Sequence, residues 1–319
     1  MNILITGASG FVGSNLIDYL SISKTQIDVL DISQNFGKNI QNIFNWNDLS
    51  EITCEKYSAV IHLAGKAHDT HNKSIIKSYF DINVGLTKRI FNKFLDSQSE
   101  CFILFSSVKA AADVVNREVL YEDVTPAPVG PYGVSKLMAE EYILNFLKAG
   151  DDRLKDKRVY ILRPCMIHGP GNKGNLNLLY SIVKKGIPWP LGAYENKRSF
   201  CFIDNITYVV EQLILRNNIE SGIYNVGDDE PLSTNELIRL ISQSVEKKSR
   251  IIYLSKGLIN SMASFGSLLH LPLNRERLRK LTDNYVVSNA KIKQALNIEK
   301  MPVTAFEGMT KTLASFDKL

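Results

Sequence analysis

Three glycines mark the passage from the first apolar segment of the chain into its first helical pattern. The apolar segment is Asn2–Thr6, the loop that follows reads TGASGFVG and ends at Gly13, and the helical pattern covers residues 12–21. A strand that turns tightly at glycines into a helix is typical of the first strand–helix unit of a parallel sheet. This feature therefore predicts an α/β fold.

Four further apolar runs of strand length follow, with helical patterns such as residues 79–95 between them. They cover residues 27–31, 59–63, 101–105 and 159–163. Because these runs are apolar at most positions, both faces of each strand must be covered, as in a parallel sheet between two layers of helices. The sequence thus predicts a doubly wound parallel sheet.

The regular alternation ends after Pro164. Glycine, asparagine and proline dominate residues 168–175, and short strands and helices mix from there onward. This change predicts a smaller mixed α/β C-terminal lobe beside the doubly wound domain. We assign residues 1–164 and about 199–230 to the doubly wound domain, and about 165–198 and 231–319 to the lobe.

Composition and charge narrow the possible partners. The 319 residues are 45% hydrophobic and 22% charged, with a net charge of +5, which is ordinary for a globular protein. The densest basic run, residues 274–280, is interrupted by Glu276 and Leu278 and suits a solvated face or a contact with an anionic ligand. We expect no nucleic-acid partner.

The sequence also bears on compartment and metal binding. No apolar stretch is long enough for an export signal or a membrane span, so we expect a cytoplasmic protein without a membrane partner. The cysteines Cys54, Cys101, Cys165 and Cys201 include no CxxC pair. We expect them to be reduced core residues and predict no metal site.

The glycine loop is suited to hold a pyrophosphate. Gly7 and Gly10 let the backbone approach it, Gly13 lets the helix pack closely on the sheet, and the helix N-terminus offers N–H groups. Asp31 ends the second strand 18 residues beyond Gly13. A carboxylate there accepts hydrogen bonds from ribose hydroxyls and repels a 2′-phosphate, which predicts NAD rather than NADP.

A second pattern places a phenol and an ammonium on one helix face. Tyr132 and Lys136 are four residues apart in the predicted first turn of a helix, so their side chains point the same way. Ser107 ends the fourth strand 25 residues earlier. A nearby ammonium favours the phenolate and lowers the pKa of the phenol, which suits this pair to proton exchange.

In this order the motifs resemble the short-chain dehydrogenase/reductase superfamily, and the length points to its extended branch. The resemblance covers nearly the whole chain and rests on GxxGxxG, Tyr132 with Lys136, His62-Leu-Ala-Gly65, Asn83, Ser106-Ser107, Arg163-Pro164 and Gly169-Pro-Gly171. His168 departs from the family pattern, which usually has tyrosine there. Residues 198–204 resemble a segment of the nucleotide-sugar epimerases in that branch, UDP-glucose 4-epimerase among them.

The resemblance implies a Rossmann-type NAD site and a catalytic triad. Tyr132 exchanges a proton with the substrate oxygen, Lys136 stabilises the phenolate and binds the nicotinamide ribose, and Ser107 holds the same oxygen. The implied cofactor contacts are Gly7, Ser9, Gly10, Phe11, Val12, Gly13, Asp31, Ile32, Leu63, Ala64, Gly65, Asn83, Ser106, Tyr132, Lys136 and Pro164.

The resemblance further implies a nucleotide-sugar substrate such as a UDP- or dTDP-sugar. Arg198 offers a guanidinium for bidentate phosphate contact, with a surface ion pair as its alternative role. Asn175 has a helix N-cap as its alternative. The implied substrate contacts are Ser107, Lys109, Asn175, Leu176, Arg198 and Arg277.

Two reaction outcomes stay open. Related dehydratases carry an acidic pair after the catalytic hydroxyl, and Val108 and Lys109 stand there instead, which disfavours dehydration. The alternatives are NAD-dependent 4-epimerisation and reduction of a 4-keto sugar for a surface polysaccharide. Asp31 favours the epimerase, because biosynthetic reductases more often use NADP. A non-catalytic NAD-binding regulator would usually have lost Tyr132 or Lys136.

The resemblance also implies a homodimer that pairs two helices of each subunit. The helices near Asn83 and Tyr132 carry six apolar residues that suit either this interface or ordinary core packing. They are Leu86, Ile90, Phe94, Met138, Tyr142 and Phe146.

Overall fold

The computed structural model of the chain describes residues 1–22, 25–37, 39–50, 52, 57–67, 75–115, 117–172, 174–268 and 274–316. Side chains at positions 266, 268, 276, 277 and 280 are not among the described ones.

Nine strands lie in these described ranges. Their bounds are β1 Asn2–Thr6, β2 Gln26–Leu30, β3 Asn42–Phe44, β4 Ala59–His62, β5 Cys101–Phe105, β6 Arg158–Pro164, β7 Met166–His168, β8 Phe200–Phe202 and β9 Gly222–Val226. Seven of them form a parallel sheet in the order β3-β2-β1-β4-β5-β6-β9, and β7 pairs with β8. The predicted parallel sheet is confirmed.

Helices flank this sheet and form much of the second half of the chain. They are α1 Phe11–Ser21, α2 Ile76–Tyr79, α3 Thr87–Leu95, α4 Val108–Ala111, α5 Gly130–Ala149, α6 Asn175–Lys184, α7 Ile203–Leu215, α8 Thr234–Ser244, α9 Lys256–Leu268, α10 Arg275–Thr282, α11 Ala290–Ala295 and α12 Ala305–Phe316. A π-helical segment, Phe80–Leu86, joins α2 to α3. The single helix predicted over residues 79–95 therefore contains a change of helical pitch.

The winding of the sheet reverses beside β1. Strands β2 and β3 lie on one side of it, and β4, β5, β6 and β9 lie on the other. The ends of three strands meet there, because Thr6 is in register with His62 and His62 with Leu104. Open α/β sheets bind ligands in the crevice outside such strand ends.

A neutral histidine ties these strand ends together. His62 Nδ1 lies 2.6 Å from the Thr6 hydroxyl, and its Nε2 lies 3.0 Å from the Thr87 hydroxyl. Burial lowers the pKa of His62 to about 3. The ring therefore acts as an uncharged link between β1, β4 and α3.

Three apolar clusters form the core. Alternate residues of β1 enter different clusters, Ile3 and Ile5 one and Leu4 the other, as a strand buried on both faces requires. The third cluster is built from α6, α8, α9, α10 and α12 together with β8 and Trp189. Several residues between 285 and 301 pack into the first cluster instead. The division into two domains stays a prediction.

Two of the six residues considered for a subunit interface belong to the core of the protomer. Ile90 and Phe94 are fully buried in the second cluster, whereas Met138 is 43% exposed. Ile90 and Phe94 are therefore not available to a partner subunit. The homodimer itself stays a prediction.

Three of the four cysteines are free, buried thiols: Cys101, Cys165 and Cys201. Burial raises the pKa of Cys101 to about 12, so this thiol stays protonated and unreactive at neutral pH. Cys54 lies outside the described residues. Within the described ranges, no group of three or more His, Cys, Asp or Glu side chains is placed to hold a metal ion.

Gly13 sets how closely α1 approaches the loop before it, which gives a first prediction. A Cβ at this position would lie 2.6 Å from the Cα and the carbonyl oxygen of Ala8, so the backbone would have to move. We expect Gly13→Ala to lower the free energy of unfolding by about 1–3 kcal/mol, as at other overpacked sites. Urea unfolding followed by circular dichroism measures the change.

Gly37→Ala is the matched control, because a Cβ at Gly37 would meet no atom within 4 Å. It should change the free energy of unfolding by no more than about 0.5 kcal/mol. Equal urea midpoints for the two variants would contradict the close approach at Gly13.

Candidate active site

Helix α5 presents three chemically active side chains along one face. Gly130, at its start, has a φ of +79°, which suits glycine, and Pro131 occupies the first turn, where no N–H partner is needed. Tyr132, Lys136 and Glu140 follow at intervals of four residues and so share a face. Lys136 is 7% exposed and Glu140 0%, so this face is turned into the protein.

The Tyr132 phenol meets Ser107 beyond the end of β5. The two side chains are hydrogen-bonded. Ser107 also caps α4, since its Oγ accepts a hydrogen bond from the backbone N–H of Lys109 at 3.2 Å. The ring of Tyr79 packs edge-on against Tyr132 with 6.5 Å between ring centroids. The structure thus brings together two residues that lie 25 positions apart in the sequence.

The pKa of Tyr132 differs from what the sequence led us to expect. Burial raises the pKa of the phenol, and the hydrogen bond with Ser107 opposes this without overcoming it. The expected lowering by Lys136 is wrong for this structure. The Lys136 ammonium instead donates a hydrogen bond to the carbonyl oxygen of Phe105 at 2.8 Å.

Lys136 occupies a space that a glycine leaves open. A Cβ at Gly65 would lie 3.0 Å from Lys136 Nζ and 3.0 Å from Asn83 Oδ1. Burial lowers the pKa of Lys136 from 10.5 to about 8, and the charge of Glu140 opposes the change. The ammonium is therefore charged at neutral pH but close to its titration range.

A buried ion pair that sequence reasoning missed lies next to these residues. Arg163 Nε donates to Glu140 at 3.0 Å, and the Ser106 hydroxyl donates to the same carboxylate. Arg163 is 1% exposed, so neither charge reaches water. Removing one partner of such a pair is strongly destabilising. The available signal was the position of Glu140, one further helical turn beyond Lys136.

Asn83 forms hydrogen bonds with the turn after β4. It lies in the π-helical segment, and its Oδ1 accepts a hydrogen bond from the N–H of Lys66 at 2.7 Å. Its Nδ2 donates to the Ser135 hydroxyl at 2.9 Å and to the Lys66 carbonyl at 3.2 Å. Asn83 thereby joins this turn to α5, which positions Gly65 beside Lys136.

The glycine loop and Asp31 form one hydrogen-bonded unit. Gly7 has a φ of +72°, and a Cβ there would lie 2.5 Å from the N of Ala64, so only glycine fits. The Asp31 carboxylate, immediately after β2, accepts hydrogen bonds from the N–H and the hydroxyl of Ser9 and from the N–H of Ser33, each at 2.9 Å. The carboxylate therefore lies beside the loop that it was predicted to serve.

The other predicted cofactor contacts line the same edge of the sheet. Gly10 is the residue before α1 and makes no side-chain cap, so no side chain occupies the start of that helix. Ser9 and Ile32 are exposed; Phe11, Val12, Leu63 and Ala64 are half-buried; Ser106 and Pro164 are buried at the ends of β5 and β6. Glycine-lined space, a helix N-terminus, a carboxylate and an ammonium fit the pyrophosphate and riboses of NAD.

Tyr285 connects two of the predicted substrate contacts. Lys109 Nζ lies 4.5 Å from the centre of the Tyr285 ring, and the backbones of Arg198 and Tyr285 form a β-bridge. Burial lowers the pKa of Arg198, while Tyr285 and Asp283 oppose the change. Lys109 also pairs with Asp113 at 3.0 Å. Sequence reasoning did not identify Tyr285.

The remaining predicted substrate contacts are Asn175, Leu176 and Arg277. Asn175 is exposed at the first position of α6, whose N-cap is Gly174, so Asn175 does not take its alternative role as N-cap. Leu176 is 5% exposed and packs in the third cluster. The side chain of Arg277 lies outside the described residues.

His168, which stands where the family usually has tyrosine, links two parts of the fold. Its Nδ1 lies 2.9 Å from the Thr312 hydroxyl on α12, and its Nε2 lies 3.4 Å from Asp228. The ring is 1% exposed. This position therefore joins β7 to α12.

Comparison with known proteins gives a family match over most of the chain. The model of the NAD dependent epimerase/dehydratase family matches residues 3–227. A UDP-glucose 4-epimerase of Vibrio cholerae is 28% identical over an alignment of 325 positions that covers 99% of this chain and 95% of the relative. A GDP-6-deoxy-D-mannose reductase of Pseudomonas aeruginosa is 25% identical over an alignment of 260 positions that covers 78% of this chain and 82% of the relative.

Solved structures share the fold. The structure of a UDP-glucuronic acid 4-epimerase from Bacillus cereus in complex with NAD aligns with a TM-score of 0.76 at 20% identity. The alignment covers 100% of this chain and 97% of that one.

The buried ammonium of Lys136 should reduce the stability of the protein. Because folding lowers its pKa from 10.5 to about 8, the unfolded chain binds this proton more tightly. We expect Lys136→Met to raise the free energy of unfolding at pH 7 by on the order of 2 kcal/mol, since one pKa unit corresponds to about 1.4 kcal/mol and a hydrogen bond is lost. The gain should shrink between pH 8 and 10.5, where the wild type becomes more stable as pH rises.

Urea unfolding at pH 7, 9 and 10 measures this difference. Lys148→Met, at the exposed end of α5, is the control and should leave the free energy of unfolding nearly unchanged at each pH. A Lys136→Met variant less stable than the wild type at pH 7 would contradict the prediction.

Proposed function

We propose that this chain, which belongs to the NAD-dependent epimerase/dehydratase family, is a nucleotide-sugar 4-epimerase. It would interconvert two sugars that differ in configuration at C4 by transient oxidation of that carbon. The observation that carries the proposal is the hydrogen-bonded pair of Ser107 and Tyr132 at the strand ends. Lys136 lies one helical turn farther along α5, and the glycine loop opens on the same edge of the sheet.

NAD would be held by groups along this edge. The glycine loop and the first turn of α1 would bind the pyrophosphate, Asp31 the adenosine ribose and Lys136 the nicotinamide ribose. When bound there, NAD would supply the hydride acceptor for C4 of the sugar and the hydride donor for its re-reduction on the opposite face. The Asp31 carboxylate would repel a 2′-phosphate, which favours NAD over NADP.

Tyr132 would move the proton that accompanies the hydride. Its raised pKa keeps the phenol neutral at rest, which suits the step in which a keto oxygen receives a proton. In the opposite step the phenol must be ionised to accept the O4 proton. The hydrogen bond from Ser107, which lowers the pKa of Tyr132, would support that phenolate. Since the proton taken from O4 returns to O4, the cycle has no net proton change.

The nucleotide diphosphate would lie on the side of Tyr285. Arg198 offers a guanidinium that can bind two phosphate oxygens at once. Lys109 would supply a second cation, but its pair with Asp113 at 3.0 Å must open first. Asn175, Leu176 and Arg277 remain proposed contacts, with a UDP- or dTDP-sugar as the proposed substrate.

Reduction of a 4-keto nucleotide sugar is the second candidate. Similarity to the reductase of Pseudomonas aeruginosa favours it. The same Ser107 and Tyr132 would serve, with Tyr132 donating a proton to the keto oxygen. The two candidates differ in whether the reduced cofactor is consumed.

Consumption of reduced cofactor during turnover distinguishes the epimerase from the reductase. We expect purified protein to interconvert the 4-epimers of a UDP- or dTDP-sugar without net change in reduced-nicotinamide absorbance, because the hydride returns to the sugar. Product analysis by NMR, with absorbance recorded in parallel, measures both. Stoichiometric loss of reduced cofactor with a 4-keto sugar, and no interconversion, would establish the reductase instead.

Removal of the Tyr132 hydroxyl should stop the proton transfer. We expect Tyr132→Phe to lower kcat by a factor on the order of 10² to 10⁴, the range for a lost general acid–base group, with NAD affinity nearly unchanged. Tyr142→Phe is the matched control on the same helix, since its hydroxyl donates a hydrogen bond to Oδ1 of the exposed Asn92 at 2.6 Å. Equal activity of the two variants would exclude Tyr132 from the chemistry.

Asp31 should determine cofactor preference. We expect Asp31→Ser to weaken NAD binding and to reduce discrimination against NADP, because the carboxylate no longer binds the ribose or repels a phosphate. Fluorescence titration with both cofactors measures this. Asp18→Ser, on the exposed side of α1, should leave both affinities unchanged. Tighter binding of NADP than NAD by the wild type would show that the assignment of Asp31 is wrong.

A further inference from the structure

Helix α9 exposes an apolar stripe to solvent. Leu258, Met262 and Phe265 are 52%, 50% and 61% exposed. Their spacing of four and three residues places them along one line of the helix surface, which we call the α9 stripe. The neighbouring line carries Ile259 and Ala263, which are 2% and 0% exposed and belong to the third core cluster. The helix is thus anchored by one line of residues and presents the other to the surroundings.

Basic residues flank the α9 stripe. Exposed Lys256 begins α9, and Arg275 at the start of α10 donates from Nε to the hydroxyl of Ser264 on α9 at 2.9 Å. Arg279 is 64% exposed one turn farther along α10 and pairs with Asp283. Residues 254–283 contain five basic residues and two acidic residues, so this segment has a net charge of +3. We call Lys256, Arg275 and Arg279 the basic flank.

We propose that the α9 stripe and the basic flank dock the protein on the surface of an anionic lipid bilayer. Apolar side chains of a surface helix enter the boundary between head groups and acyl chains, and neighbouring lysines and arginines contact anionic head groups. Such docking needs no spanning segment, and within the described ranges no helix is long and apolar enough to be one. The sequence-based expectation of no membrane partner considered only export and spanning segments.

Charge distinguishes a bilayer from a second copy of this chain as the occupant. A two-fold dimer through the α9 stripe would place the same patch of both copies together, so each basic flank would face the other. Like charges across an interface oppose association, whereas an anionic surface complements them. The basic flank therefore favours the bilayer.

Vesicle sedimentation tests the docking. The full-length protein is mixed with sucrose-loaded vesicles of phosphatidylcholine alone or with about one-third phosphatidylglycerol, at low and high salt. We expect binding to the anionic vesicles that weakens with salt, because exposed charges are screened at high ionic strength. Absence of binding to anionic vesicles, whether or not an acidic protein or a second copy binds the stripe, would overturn the proposal.

Two double variants test whether vesicle binding depends on the α9 stripe and on the basic flank. Met262→Ser combined with Phe265→Ser should weaken vesicle binding at least about tenfold, since two apolar anchors are lost. Arg275→Gln combined with Arg279→Gln should weaken binding to anionic vesicles about fivefold for each charge removed. Circular dichroism should show unchanged folding, because the four side chains are exposed.

Ile22→Ser is the matched control, because Ile22 is 83% exposed immediately after α1 and lies in neither helix of the docking surface. It should bind vesicles as the wild type does. If the Met262 and Phe265 double variant also binds as the wild type does, the α9 stripe is not the docking surface. Light scattering of the same variants reports whether the stripe joins two copies, and loss of a dimer without loss of vesicle binding would likewise overturn the assignment.

Discussion

The buried ion pair of Glu140 and Arg163 joins helix α5 to the end of the sheet, and the geometry of the site depends on it. Arg163 belongs to β6, whose register is fixed by β5 on one side and β9 on the other. A fully buried carboxylate is stable as an anion only beside such a cation. Because Glu140 also accepts the hydrogen bond of Ser106, the same pair holds the residue that precedes Ser107. The ion pair of Glu140 and Arg163 thus positions the helix that carries Tyr132 relative to the strand end that carries Ser107.

Burial moves the two titrating groups of the site in opposite directions. The pKa of Lys136 falls and that of Tyr132 rises, because exclusion of water disfavours whichever form is charged. The resting site is therefore biased toward a neutral phenol and a weakly held ammonium proton. The unfavourable burial of Lys136 is a stability cost that the proposed catalytic site accepts.

The proposed docking surface and the proposed nucleotide contacts belong to one continuous segment. Helix α10 ends at Thr282, and Arg279 pairs with Asp283. The charge of Asp283 also opposes the lowering of the Arg198 pKa by burial. Tyr285 follows two residues later, where it pairs with Arg198 and lies under Lys109. Contact of α9 and α10 with a bilayer would place the substrate side of the protein close to the membrane surface. The sheet, by contrast, would supply the cofactor side, and it lies within the residues that the family model matches, 3–227, apart from Asn2.

The sequence by itself determined the parts of this protein that depend on neighbours along the chain. Strands Asn2–Thr6 and Cys101–Phe105, the glycine turn and the shared face of Tyr132 and Lys136 follow from local periodicity and from glycine stereochemistry. Contacts between distant residues were decided only by the tertiary structure. The ion pair of Glu140 with Arg163, the burial of Ile90 and Phe94, and the raised pKa of Tyr132 all require segments far apart in the chain to meet. Burial and electrostatic environment are properties of the packed molecule, so no local pattern could have predicted them.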